Sequence, residues 1–269
     1  MLNINTNYGA AFAAKAAKST NNDLNTAFER LSSGSRINFA KDDAAGQGIS
    51  TRLAAEITSL DMASRNASDA QSMIDTADGA YQEVHSMLLR MREIAVQASN
   101  GTLSDADRTA LNAEVTALET EITSIADNTA FAGIKLGTGL SVAFQIGTAN
   151  GNVLNHKFVD FDVSSIGANI AVNSVSTATA ALATVDAAIS TVSANRGTLG
   201  ALSNRLSSTI ANLDNVSVNL SSARGRIQDT DFAQETSNLA KSQIMQQAAT
   251  AMLAQANASK GSILTLIQG

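Results

Sequence analysis

Cysteine, tryptophan and proline are absent from this 269-residue chain, and histidine occurs only twice. Without cysteine there can be no disulfide, thiolate metal site or cysteine nucleophile. Any zinc site or Ser–His–Asp triad would have to be built around His85 or His156. At average usage a chain this long would hold about 13 prolines. Proline breaks helix interiors, so its absence, with an aromatic content of only 4%, points to long helices packed through small side chains. It argues against a globular enzyme with a broad aromatic core. Basic residues are also in deficit: 18 Lys+Arg against 24 Asp+Glu give a net charge of −6, which argues against nucleic acid as a partner. No stretch reads as the roughly 18 uncharged apolar residues of a membrane span, so no membrane insertion is expected. The first nineteen residues lack a basic start, and Lys15 and Lys18 interrupt their alanine-rich part, unlike a signal peptide.

What is present is helical periodicity. Leu53, Leu60, Ala67, Ile74, Tyr81, Leu88 and Ala95 recur every seventh residue, with Ala63, Ala70, Ala77, Val84, Met91 and Ala98 as a second series. This a/d pattern predicts a helix stopping at Asn100-Gly101, where glycine tolerates the left-handed conformation. Ser104 followed by Asp105 and Asp107 reads as an N-cap with first-turn acids. It opens a second helix on Leu111, Val115, Leu118, Ile122 and Ile125, antiparallel to the first. Val185, Val192, Leu199, Leu206, Leu213, Leu220 and Ile227 repeat the seven-residue interval; the companion series Leu182, Ile189, Arg196, Ser203 and Ile210 is mixed, so that seam should be partly wet.

Between these blocks the character changes. Ser141–Ile146 alternates with period two, Asn150-Gly151 is a hairpin dipeptide, and Phe158, Val159, Phe161 and Val163 could supply the return strand. Both ends are helix-like but weakly hydrophobic, marked by Phe12, Leu24, Phe28 and Leu31 at one end and Phe232, Leu239, Ile244, Met245, Met252, Leu253 and Leu264 at the other. Such helices cannot bury enough apolar surface alone and need a partner, each other being the nearest candidate. The expected fold is mainly α: long antiparallel coiled-coil-like helices, a small β-hairpin section and paired terminal helices.

The stretch Glu29-Arg30-Leu31-Ser32-Ser33-Gly34-Ser35-Arg36-Ile37-Asn38-Phe39-Ala40-Lys41-Asp42-Asp43-Ala44-Ala45-Gly46-Gln47 resembles the amino-terminal signature of bacterial flagellins. So do Ala63–Asp69 and Arg90–Gln97. Asn219–Phe232, Gln246-Gln247-Ala248 and Ala254-Gln255-Ala256-Asn257 resemble the carboxy-terminal one. The resemblance implies that residues 1–45 and 224–269 form inner-tube terminal helices, and that 46–223 form a helical shell with a β-hairpin section at about 138–167. Nothing of domain size intervenes, so the chain resembles a short form without inserted outer domains. The implied function is structural, not enzymatic: a subunit that self-assembles into the extracellular filament for swimming. The alternative is a hook–filament junction (hook-associated) protein. Implied partners are other copies or related flagellins, hook-associated proteins, a filament cap, an export chaperone on the carboxy-terminal helix, and a host Toll-like receptor. Export would run through the flagellar apparatus.

Candidate assembly residues are Phe12, Phe28, Leu31, Asp42, Asp43, Arg224, Phe232, Leu239, Met252 and Leu264. By resemblance, Arg90, Arg92, Glu93, Ile94 and Glu114 match the receptor-sensed surface; from the residues alone they read as a solvated helix face with short-range pairs. No catalytic, cofactor or metal constellation is found. His85 reads as a seam flank and His156 as an exposed hairpin residue. Asp160 and Asp162 lack a calcium-loop frame. Asp229 and Asp231 read as caps before Phe232, and Asp42 and Asp43 either as caps or as partners for a neighbouring subunit's arginines.

Overall fold

A computed structural model describes residues 6–268, with side chains described as far as residue 261. In order, the elements are α1 (Tyr8–Ser33), α2 (Ala44–Ala98), α3 (Asp105–Asn128), β1 (Ala130–Phe131), β2 (Ile134–Lys135), β3 (Ser141–Gln145), β4 (Val153–Lys157), α4 (Val175–Gln228) and α5 (Phe232–Gln268). The chain divides into two compact units, Met1–Ala55 with Asn219–Gly269, and Glu56–Val218.

In the second unit both heptad series of α2 are buried from Leu60 to Ala98. From Ala67 onward they join Val115, Ile122 and Ala126 of α3 and Val185, Val192, Leu199 and Leu206 of α4 in one core cluster. The companion series of α4, from Leu182 to Ile210, is half-buried throughout. It is kept partly polar by Arg196, whose guanidinium bonds both oxygens of Asp78 at 2.8 and 3.3 Å. α4 also contains an 18-residue window of mean hydropathy 1.3, apolar enough by composition to cross a membrane, contrary to expectation. Alanine and valine raise that average, and Ala178, Ala181, Val185, Ala188 and Val192 face the core.

The α2–α3 connection differs from its sequence reading. Gly101 has no positive φ. Instead, the buried Arg108 holds the turn: Nη1 donates to the carbonyls of Ala98 (3.2 Å) and Asn100 (3.0 Å), and Nη2 to Leu103 (2.7 Å). A guanidinium at a helix C-terminus satisfies free carbonyls and opposes the helix dipole. Ser104 does cap α3, in a reciprocal capping box with Asp107.

The hairpin β3–β4 is antiparallel, with Val142 opposite His156 and Phe144 opposite Leu154. Its return strand is Val153–Lys157, not the 158–163 run. Phe158 and Phe161 lie beyond the strand and enter the core. There Phe161 packs on Tyr81 with ring centroids 4.7 Å apart, and the Tyr81 hydroxyl donates to the Val159 carbonyl at 2.6 Å. Burial, with Asp160 nearby, pushes the Tyr81 phenol well above its ordinary value. A second, two-residue hairpin joins β1 and β2.

Candidate assembly surfaces

In the first unit α1 and α5 pack along their length. Their contacts run in opposite senses: the Asn7 amide donates to the Ala256 carbonyl (3.1 Å), Gln246 donates to Asn21 (2.6 Å), and Arg30 faces Glu235 (3.9 Å). The helices are therefore antiparallel. The seam is made mostly of small residues, with Glu235 also buried on α5. Ala13, Thr20 and Ala27, seven apart, are buried on α1, and Ala249 is buried on α5; a Cβ added at Gly9 would lie 3.6 Å from that of Ala256. Small side chains let the backbones approach, and they leave the large apolar ones outside.

That places the sequence candidates. Phe12 is 77% exposed, Met252 66%, Phe232 55% and Phe28 49%, while Leu31, Leu239 and Arg224 are half-buried. Leu264 lies outside the residues whose side chains are described. The outward face also carries Tyr8, Ile244 and Met245. Phe12 and Phe28 thus mark the outside of α1, not its seam. The seven-residue alanine–threonine interval was the available signal for the seam.

The segment after α1 is tied to the α4–α5 joint. Gly34 ends α1 in the left-handed conformation (φ 70°). Ser35 forms an antiparallel bridge with Asp229. Arg36 N–H donates to the Gln228 carbonyl (2.6 Å) and Thr230 N–H to the Gly34 carbonyl (3.0 Å). The Arg36 guanidinium reaches the Ile227 carbonyl at 2.8 Å, capping α4, and Ser50 donates to the Gln228 side chain at 2.7 Å. Neither Arg36 nor Ser50 stood out in the sequence, because their partners lie near the other end of the chain. Gly46 and Gly225 lie inside helices without positive φ.

The carboxylates there act locally. Asp42 accepts from the N–H groups of Asn38 (3.2 Å) and Phe39 (3.0 Å), and the Phe39 bond leads in holding its acid below the ordinary value. Asp43 accepts from Gly46 N–H at 2.8 Å, opening α2, and Asp231 caps α5 through Ala233 and Gln234. Asp229 does not cap α5; its backbone pairs with Ser35.

In the second unit, Arg90 bonds Glu114 (2.9 Å) and Glu93 (3.0 Å), and Arg92 bonds Asp186 (2.6 Å). These exposed pairs raise both arginines, Arg90 chiefly through Glu114 and Arg92 through Asp186. Ile94 is a correction to the surface set. It is 1% exposed and belongs to the core cluster, since α2 buries more than its a/d edge where other segments pack on it. His156 is a second correction: half-buried, it stands edge-on to Phe158 with centroids 4.9 Å apart, and burial lowers its pKa. Asp162 is half-buried too. It is held below the ordinary carboxylate value first by the Ser164 hydroxyl and also by Thr123. Among the described residues no group of three or more His, Asp or Glu side chains could hold a metal.

Comparison with known proteins decides the family. The model of the bacterial flagellin N-terminal helical region matches residues 4–141, and that of the C-terminal helical region residues 182–267. The chain belongs to the bacterial flagellin family. It is 43% identical to a flagellin of Halalkalibacterium halodurans, over 90% of this chain and 91% of the relative. It is 33% identical to flagellin A of Vibrio cholerae, over 99% and 100% of the two chains. That second alignment spans 377 positions, so the Vibrio flagellin carries residues this short flagellin lacks. Among solved structures, Bacillus cereus flagellin superimposes with a TM-score of 0.52 at 31% identity, covering 55% of this chain and 88% of that one. A Vibrio parahaemolyticus protein described as a putative flagellar hook-associated protein gives 0.60 at 15% identity, covering 70% and 100%; that likeness concerns the fold alone.

Proposed function

We propose that this flagellin is a structural subunit of the bacterial flagellar filament and assembles through its paired terminal helices. The observation that carries the reading is the inversion of α1 and α5, whose small side chains face each other while Phe12, Phe28, Phe232, Ile244 and Met252 face outward. A chain on its own gains nothing from that arrangement. Each large apolar side chain fully buried against a neighbour contributes about 1.5–3 kcal/mol, and ordering the contacting groups costs a comparable amount. Assembly is therefore favourable only when several such side chains are covered at once, as in a polymer. The unit made of the two chain ends would form the inner tube, and Glu56–Val218 the surrounding shell. Identities of 43% and 33% to flagellins favour the filament over the hook–filament junction.

The same outward face would also suit an export chaperone, the filament cap and hook-associated proteins. A cytoplasmic chaperone covering Ile244, Met245 and Met252 on α5 would prevent premature polymerisation before export through the flagellar apparatus. The filament cap and hook-associated proteins would meet the terminal helices at the two ends of the polymer. Arg90, Arg92, Glu93 and Glu114, without Ile94, offer the charged face for a host Toll-like receptor. Imaging and sedimentation of the purified chain test the main reading: filaments formed from this chain alone support it, and a chain that stays monomeric under assembly conditions refutes it.

A further inference from the structure

The chain contains two Asn-Gly pairs, Asn100-Gly101 and Asn150-Gly151, and the structure treats them differently. In such a pair the glycine N can attack the asparagine side-chain carbonyl carbon, because glycine has no side chain to shield it and the widest backbone freedom. Closing the ring requires rotation about the asparagine Cα–C bond, which swings that residue's main-chain carbonyl.

At Asn100 the rotation is opposed. Its carbonyl accepts from Arg108 Nη1 (3.0 Å) and from Leu103 N–H (3.4 Å), and its side-chain oxygen accepts from Thr102 N–H (3.2 Å). Arg108 is itself only 6% exposed. The β3–β4 loop is ordered on either side of Asn150. Gln145 donates to the carbonyls of Gly147 (2.7 Å) and Ala149 (3.0 Å), and Asn152 both accepts from Ile146 N–H and donates to Ala149. At the tip, however, the Asn150 side chain, the Asn150 carbonyl and the Gly151 N–H have no partner among the described residues, and both residues are exposed. Gly151 already has φ 94°.

We propose that Asn150 is a self-modifying site that converts to aspartate and isoaspartate in the folded protein, while Asn100 is protected by its turn. The Gly151 nitrogen forms a bond to Asn150 Cγ and loses its proton, and the side-chain nitrogen leaves as ammonia, giving a cyclic imide. Water then opens either imide C–N bond to give aspartate or, with the backbone routed through the side chain, isoaspartate. The net change is water consumed and ammonia released, with no oxidant. Each event adds one negative charge at the tip of the hairpin and does not depend on the assembly reading.

The test is incubation of the full chain in mildly alkaline buffer, followed by tryptic mapping of the peptides 93–108 and 136–157. One charge-assisted hydrogen bond to be broken before ring closure corresponds to a slowing of about tenfold or more. In native protein, Asn150 should therefore convert at least about tenfold faster than Asn100. In denaturant the two rates should converge, and Asn150→Gln should remove the product at that position. Native rates that are equal, a faster Asn100, or no conversion at Asn150 beyond that at Asn152 and Asn155 would overturn the assignment.

Discussion

Replacing Arg108, a buried residue in the first turn of α3, by alanine should destabilise the second unit substantially. The side chain is 6% exposed, and its guanidinium serves the carbonyls of Ala98, Asn100 and Leu103 as well as Asp105 at 3.4 Å. A hydrogen bond to a charged group contributes about 1.5–3 kcal/mol, and a buried carbonyl left without a donor costs about 1–3 kcal/mol. Water enters the vacated space and recovers part of this, because Asn100 is exposed. The Asp105 contact lies at the surface and adds little. The expected net loss is about 2–5 kcal/mol, or about 5–15 °C in thermal midpoint for a unit of this size. Arg108→Lys, which keeps the charge but not the fork, should fall between. Thermal and urea unfolding of the monomer, followed by circular dichroism, measure this. An alanine variant within about 0.5 kcal/mol of the parent, the range of an ordinary surface change, would refute the role given to Arg108.

Gly137→Ala should be strongly destabilising by the same unfolding assays, because an added Cβ would lie 2.8 Å from the Cα of Ala126, where backbone cannot yield cheaply. Burial lowers His156 below its ordinary 6.5, so between the lowered value and 6.5 the unfolded chain binds more protons than the folded one. Stability should then rise with pH through that window and level off above about 6.5; urea midpoints against pH for the parent and His156→Phe should differ in slope only there. At the joint, Arg36→Ala removes the guanidinium donor to the Ile227 carbonyl. It should raise the protein concentration needed for polymerisation while leaving the unfolding of the second unit unchanged, as read by sedimentation and calorimetry.

The long helices were legible because burial in α2 follows a fixed seven-residue interval, which is printed in the order of residues. The return strand was not. Asn155 and Lys157 in β4 are exposed, whereas the more apolar Phe158 and Phe161 sit past the strand because the core lies there. The turn at Asn100 misled for a related reason: a local glycine suggested a left-handed stop, but the groups that satisfy the end of α2 come from Arg108, within the next helix. The terminal helices show the sharpest contrast. Their large residues stood out as assembly candidates and most of them lie exposed, but the seam between the two helices was missed, since alanine and threonine, which pattern weakly, make the close contact. Arg36, Ser50 and Gln228 were invisible for want of any local signal, their pairing being set by where the chain's two ends meet within the first unit.

The measurement that bears most directly on assembly through the outward face of α1 and α5 is negative-stain imaging of purified chain beside the double variant Phe12→Ser, Met252→Ser. Both side chains are mainly exposed, so the variant should unfold like the parent. The account predicts filaments from the parent and only monomers from the variant at the same concentration. Filaments of equal number and length from both would contradict it.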